Sequence, residues 1–112
     1  MNITHVLKIQ QEYFLAILTG NKKAEFRKDD GRDFRCGELI RLREFIWLHI
    51  DSAKGDSLAR ELVYTSRELV VCITDVTIVN AIYEEIPDSP KFVMLSFDVL
   101  SMTDFKRGVV IL

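Results

Sequence analysis

The chain opens on strict alternation. Over residues 3–9, Ile3, His5, Leu7 and Ile9 fall on one face and Thr4, Val6 and Lys8 on the other, the period of a half-buried strand. Periodicity then lengthens. Phe14, Ile17 and Leu18 share one face at helical spacing with Tyr13 beside them, and Gly20 offers a stop, so a short helix is expected over residues 11–19. Residues 23–28 alternate again, with Ala24 and Phe26 opposite Glu25 and Arg27. The stretch Asp29-Asp30-Gly31-Arg32-Asp33-Phe34 is turn chemistry. After Gly37 a long strand is predicted, with Ile40, Leu42, Ile46 and Leu48 on one side and Arg41, Arg43, Phe45 and Trp47 on the other.

Residues 49–68 break the pattern. They read as an enlarged connecting loop, with room for one helical turn over residues 57–62. Residues 69–82 are apolar on both faces, as in a buried central strand. Residues 83–90 read as a loop, 91–100 as a strand and 107–112 as a last edge strand. Strand, helix and then four or five strands form one domain over residues 1–112. The fold expected is α+β, mainly β: a small, mostly antiparallel barrel of five to six strands with one capping helix.

Composition adds limits. The chain has 112 residues, 48% hydrophobic and 29% charged, an ordinary balance for one soluble domain. No apolar run is long enough to span a bilayer, and the N-terminus lacks the pattern of a signal peptide. Cys36 and Cys72 are far apart and form no CxxC, which fits reduced thiols in a cytoplasmic protein. His5 and His49 show no metal-ligand spacing, so no metal or other cofactor is expected. The net charge of −2 argues against non-specific nucleic-acid binding. It is unevenly spread, however: residues 22–43 carry +3 and the remainder −5. That patch is either a self-neutralising surface or the rim of a site for a specific anion.

The residues in and around the patch each admit two readings. Lys22 is a solvated loop lysine, or a cation projecting into a cleft where it holds a phosphate or activates water. Glu25 and Arg27 leave their strand on one face, as a surface ion pair or as a polar cleft wall with a guanidinium fork for an anion. His5 is a core histidine with one hydrogen bond, or a cleft residue beside Lys8. Asp30 and Arg32 fix the turn at Gly31, or Arg32 touches a ligand. Tyr13 is packing, or a stacking face for a base.

The segment "HVLKI", then "EYFLAILTGNKKAEFRKDDGRDFRCGELIRLREF", resembles the ASCH domains of the PUA-like superfamily, and most of all a small phage and bacterial branch of unknown function. His5, Leu7, Lys8, Ile9, Glu12, Tyr13, Phe14, Gly20, Lys22, Glu25, Arg27, Lys28, Asp30, Arg32, Phe34, Gly37, Leu42, Arg43 and Glu44 match that pattern. "YTSRE" resembles its Y-T-G-R-E, with Ser66 in place of the glycine. Gln11 stands where the branch has proline, Lys23 where it has threonine, and Gly31 is inserted. The resemblance implies a PUA-like barrel with a cleft between the helix and the Lys22–Arg27 segment. Such clefts bind RNA or modified nucleotides. One branch hydrolyses acetylated cytidine with a Lys, a Thr and a Glu, but here Glu25 stands where the hydroxyl is needed, so that activity is not expected. The reading is an RNA- or nucleotide-binding module in contact with RNA or a nucleotide and not with a membrane. A small hydrolase of a modified nucleoside or RNA and a phage-type protein-interaction module are the alternatives, and catalytic residues remain unassigned.

Overall fold

The computed structural model describes residues 2–28, 31–50, 59–79 and 92–111. The elements are β1 (Ile3–Gln10), α1 (Gln11–Leu18), β2 (Ala24–Lys28), β3 (Leu39–His49), β4 (Arg60–Ile78), β5 (Phe92–Asp104) and β6 (Val109–Ile111). Residues 29–30 of the expected turn and the expected loop at residues 83–90 lie outside the described residues.

One curled sheet takes the order β1-β3-β4-β5-β2, with β6 added to β5 beyond β2. It is a half-barrel, mainly β with one short helix. The mostly antiparallel expectation holds for every pair except one: β1 lies parallel to β3, because the chain crosses over through α1 and β2 before returning. Strand β2 pairs with β5, not with β1, so among the described residues the two ends of the sheet stay unzipped from each other. The expected barrel is therefore a half-barrel, open along one side.

Inside the curl, Leu7, Ile9, Ile40, Leu42, Leu69, Val71, Ile73, Leu95 and Phe97 form one core. Phe14 and Ile17 of α1 plug it at 0% and 1% exposure. Leu18, expected inward with them, is 37% exposed. Leu18 is the last residue of α1, and the helix end it belongs to is exposed, as are Thr19 and Gly20 beside it. Gly20 follows with φ of +82°, a left-handed turn that glycine adopts without strain, and Thr19 Oγ1 donates to Leu15 O at 2.9 Å.

The largest departure is in β4. Residues 60–68, expected within a loop, are strand, and no helical turn occurs over residues 60–62. Leu62 and Val63 pair across the ladder with Trp47 and Ile46. The ladder is interrupted there: residues 65–67 oppose the single residue Glu44 in an enlarged bulge. Ser66 lies there at φ of +73°, a conformation that favours glycine.

That bulge serves a buried charge. Glu44 shares the inward face of β3 with Ile40 and Leu42 and is fully buried. Arg67 meets it with two parallel bonds, Nε to Oε1 at 2.8 Å and Nη2 to Oε2 at 2.7 Å, and the Thr65 hydroxyl also donates to Oε1. The hydrogen bond to Glu44 holds the Arg67 guanidinium pKa above its ordinary range, and its Cζ lies 5.0 Å from the centre of the Phe14 ring. The bulge thus turns Thr65 and Arg67 toward a carboxylate that the β3 pattern places in the core.

Candidate functional site

An unpaired strand edge leaves backbone groups that need partners. Along β1 two arginines supply them. Arg27 of β2 donates through Nη1 to Lys8 O at 3.3 Å, and Arg32 donates through Nη1 to Val6 O at 3.0 Å. These side chains span the open side of the half-barrel without closing it. A cleft remains on either side of the Arg27 bridge.

One part, about 350 Å³, is lined by Lys8, Gln10, Tyr13, Glu25, Arg27 and Phe45, among others. The second, about 300 Å³, is lined by Val6, Leu7, Lys8, Arg27, Arg32, Arg43 and Tyr64. Four of those seven residues are cations, and none of the described lining residues is a carboxylate. Arg43 is partly neutralised, because the Glu68 carboxylate forms ion pairs with both Arg41 (Nε at 3.2 Å) and Arg43 (Nε at 3.3 Å). One carboxylate shared by two guanidiniums leaves a net positive charge.

Glu25 gives the first part its distinct chemistry. The carboxylate, not the neighbouring Phe26, faces the sheltered side: Glu25 is 12% exposed in its side chain, whereas Phe26 is 46% exposed and stacks on Phe92 at 5.0 Å. Oε2 is buried with no hydrogen-bond partner, and Oε1 lies 3.9 Å from Lys22 Nζ. Burial raises the Glu25 pKa above the usual carboxylate value, although Lys22 and Arg27 pull it down.

The sign of the resulting pH effect follows from linkage. The folded state holds the Glu25 proton more tightly than the unfolded chain does. Stability from this group is therefore greatest at low pH and falls as pH rises from the ordinary carboxylate range through the raised value. Glu25→Gln removes the titration. Its stability relative to wild type is expected to increase as pH rises from the ordinary carboxylate range through the raised value. Urea melts of both proteins across that range measure the difference, and a difference independent of pH would contradict the burial cost.

The seven residues singled out from the sequence do not all meet. Lys8, Tyr13, Glu25, Arg27 and Arg32 line the cleft. Lys22 touches it through Glu25 and through the Tyr13 ring, whose centre is 5.0 Å from Nζ. His5 stands apart. Its Nε2 is 3.0 Å from Glu38 Oε1, its ring lies 4.5 Å from Phe34, and it lines neither part of the cleft. That bond holds the Glu38 carboxyl below its ordinary value, and the same carboxylate accepts from Arg35 N at 2.7 Å. His5 therefore ties the start of β1 to the turn before β3.

Arg43, Phe45 and Tyr64 line the cleft as well and were not singled out as site residues. The signal for two of them was visible: Arg43 and Phe45 alternate onto the face of β3 opposite Ile40 and Leu42. Tyr64 gave no such signal, because it lay in the stretch read as a loop.

Comparison with known proteins bears on the whole of this unit. Residues 4–82 match a domain of unknown function, DUF3850. The chain is also similar to an uncharacterized 12.9 kDa protein in the GpA 3′ region of Escherichia phage P2, at 34% identity over 73 residues. That match covers 65% of this chain and 53% of the phage protein, so the chain spans about half the length of this relative. Every cleft residue named above falls within the matched residues, from the first strand to the end of β4, and by that match the chain belongs to the DUF3850 family.

Proposed function

We propose that the protein is a cytoplasmic RNA- or nucleotide-binding module that receives a phosphate in the cleft between β1 and β2. The observation that carries this reading is the convergence of Lys8, Arg27, Arg32 and Arg43 on one cavity with no carboxylate among its described lining residues. An ammonium and three guanidiniums suit the charge and geometry of phosphate oxygens. The adjoining part supplies Glu25, which as a carboxylate accepts from a base amino group and as an acid donates to a base acceptor, and Tyr13, a ring for packing. The likeness to ASCH domains of the PUA-like superfamily points the same way.

One observation favours a second reading, hydrolysis of a modified nucleoside or of RNA. Glu25 is shielded, biased toward its protonated form and 3.9 Å from Lys22, the arrangement of a candidate acid beside a cation.

The test is a fluorescence-anisotropy titration of a random RNA pool at two salt concentrations. Lys8→Ala is expected to weaken binding uniformly across sequences and to lower the salt slope by about one. Arg107→Ala, at an 82% exposed side chain outside the cleft, is expected to leave both unchanged. Equal behaviour of the three proteins would refute the cleft as the site.

A further inference from the structure

Beyond the cleft, β3 and β4 run on as a two-stranded ribbon. Strand β1 pairs with β3 only as far as Phe45, and β5 pairs with β4 only from Arg67. Residues 46–49 and 60–63 therefore pair only with each other among the described residues. On the outer face of β3 and β4, running from the cleft onto this ribbon, cations and aromatic rings alternate in contact. Lys8 Nζ lies 6.0 Å from the Phe45 ring centre. Phe45 meets Trp47 edge to face at 5.5 Å. The Arg60 guanidinium lies 4.0 Å over Trp47, and that of Arg43 lies 3.8 Å over Tyr64.

Both rings are open to solvent, Trp47 at 36% and Tyr64 at 41% exposure. The row is also continuous with the cleft, since Tyr64 and Arg43 line its second part and Phe45 its first. From Arg43 to His49 the face extends about 20 Å at the rise of a strand.

We infer that this outer face is a stacking track for single-stranded nucleic acid, leading out of the cleft along the ribbon, with Tyr64 and Trp47 as base platforms and Arg43 and Arg60 as guanidinium layers over them. The inference rests on the cleft reading and extends it from one phosphate-bearing group to a strand of several nucleotides. A planar guanidinium already seated on a ring offers its outer plane to a base, and each such layer adds π and charge attraction together. Unstacked bases are required, which selects a single strand over a duplex. Charge selects nucleic acid over a second copy of this chain. Lys8, Arg41, Arg43 and Arg60 share the face, and Glu68 is engaged by two of them, so a second copy would bring like charges together.

Trp47 is the sole tryptophan of the chain, so the track carries its own fluorophore. The experiment uses a uridine dodecamer, uridine monophosphate and a duplex of the dodecamer's length. The dodecamer is expected to quench Trp47 emission, and the monophosphate to leave it unchanged. With labelled dodecamer, Trp47→Ala is expected to raise Kd about ten-fold or more. Trp47→Phe should recover most of that loss, and monophosphate binding should be the same in all three proteins. If Trp47→Ala binds the dodecamer like wild type while Lys8→Ala weakens it, the cleft stands and the track is refuted. If wild type binds neither the dodecamer nor the monophosphate, both readings fall. Duplex binding equal to single-strand binding overturns the track. So does emission that shifts with protein concentration alone, which would assign the face to self-association.

Discussion

Arg67→Met is expected to destabilise the fold by about 3–5 kcal/mol. The cost comes less from the bonds lost than from what they leave behind. Glu44 is fully buried on the inward face of β3, and Arg67 supplies two of the three hydrogen bonds to its carboxylate. With Arg67 gone, a charge sits in the core with the Thr65 hydroxyl as its remaining partner, and an uncompensated buried charge is among the largest single penalties a mutation imposes. Against a typical total of about 5–15 kcal/mol, that loss takes a marginal domain close to unfolding. The double variant Glu44→Leu/Arg67→Met is expected to regain most of the stability, because apolar side chains of similar volume need neither desolvation nor partners. Urea unfolding of the wild type, both single variants and the double variant measures the coupling. An Arg67→Met loss below about 1 kcal/mol would mean that Glu44 is not isolated from solvent in the way its burial indicates.

Phe14→Ala should cost a comparable amount, about 3–5 kcal/mol, through a cavity instead of a charge. Helix α1 has eight residues, too few to hold helical structure alone in water. It is kept in place by Phe14 and Ile17 inserted into the curl. Removing the ring also uncovers one side of the Arg67 guanidinium, 5.0 Å from its centre. Leu18→Ala, four residues on and 37% exposed, is expected to cost less than about 1 kcal/mol. The pair separates burial from helix propensity, since both substitutions introduce the best helix former. In a thermal melt, Phe14→Ala should lower Tm by at least about 10 °C. A melt unchanged by it would show that α1 does not plug the sheet.

The alternation of Leu7 and Ile9, and of Ile40 and Leu42 against Arg41 and Arg43, was enough to place strands β1 and β3 and the first part of their buried faces; beyond Arg43 it failed, since Phe45 is buried at 5% and Leu48, expected beside Ile40 and Leu42, is 46% exposed. Side-chain direction alternates along any extended chain, so period two encodes which face meets the core. The same argument located α1, β2 and β5, and a mainly β fold with one helix followed from their order. It did not say which strands are neighbours: β2 lies on β5, and Lys8, Glu25 and Arg27 meet because Arg27 reaches across the open side to Lys8 O.

What only the tertiary structure decided are the relations between distant segments. Glu44 was visible as a charge on an apolar face, but its partner stands 23 residues later, in a stretch whose composition read as loop. Residues 60–68 became strand because residues 45–49 offered them a ladder, and Ser66 took a left-handed turn so that Thr65 and Arg67 face the carboxylate. His5 left the candidate site when Glu38 claimed it. The open side of the half-barrel, which makes the cleft, depends on β1 and β2 failing to pair with each other. Periodicity reports each residue's orientation relative to its own backbone. It carries no term for which strand lies alongside, and that choice is made by contacts between residues far apart in the chain.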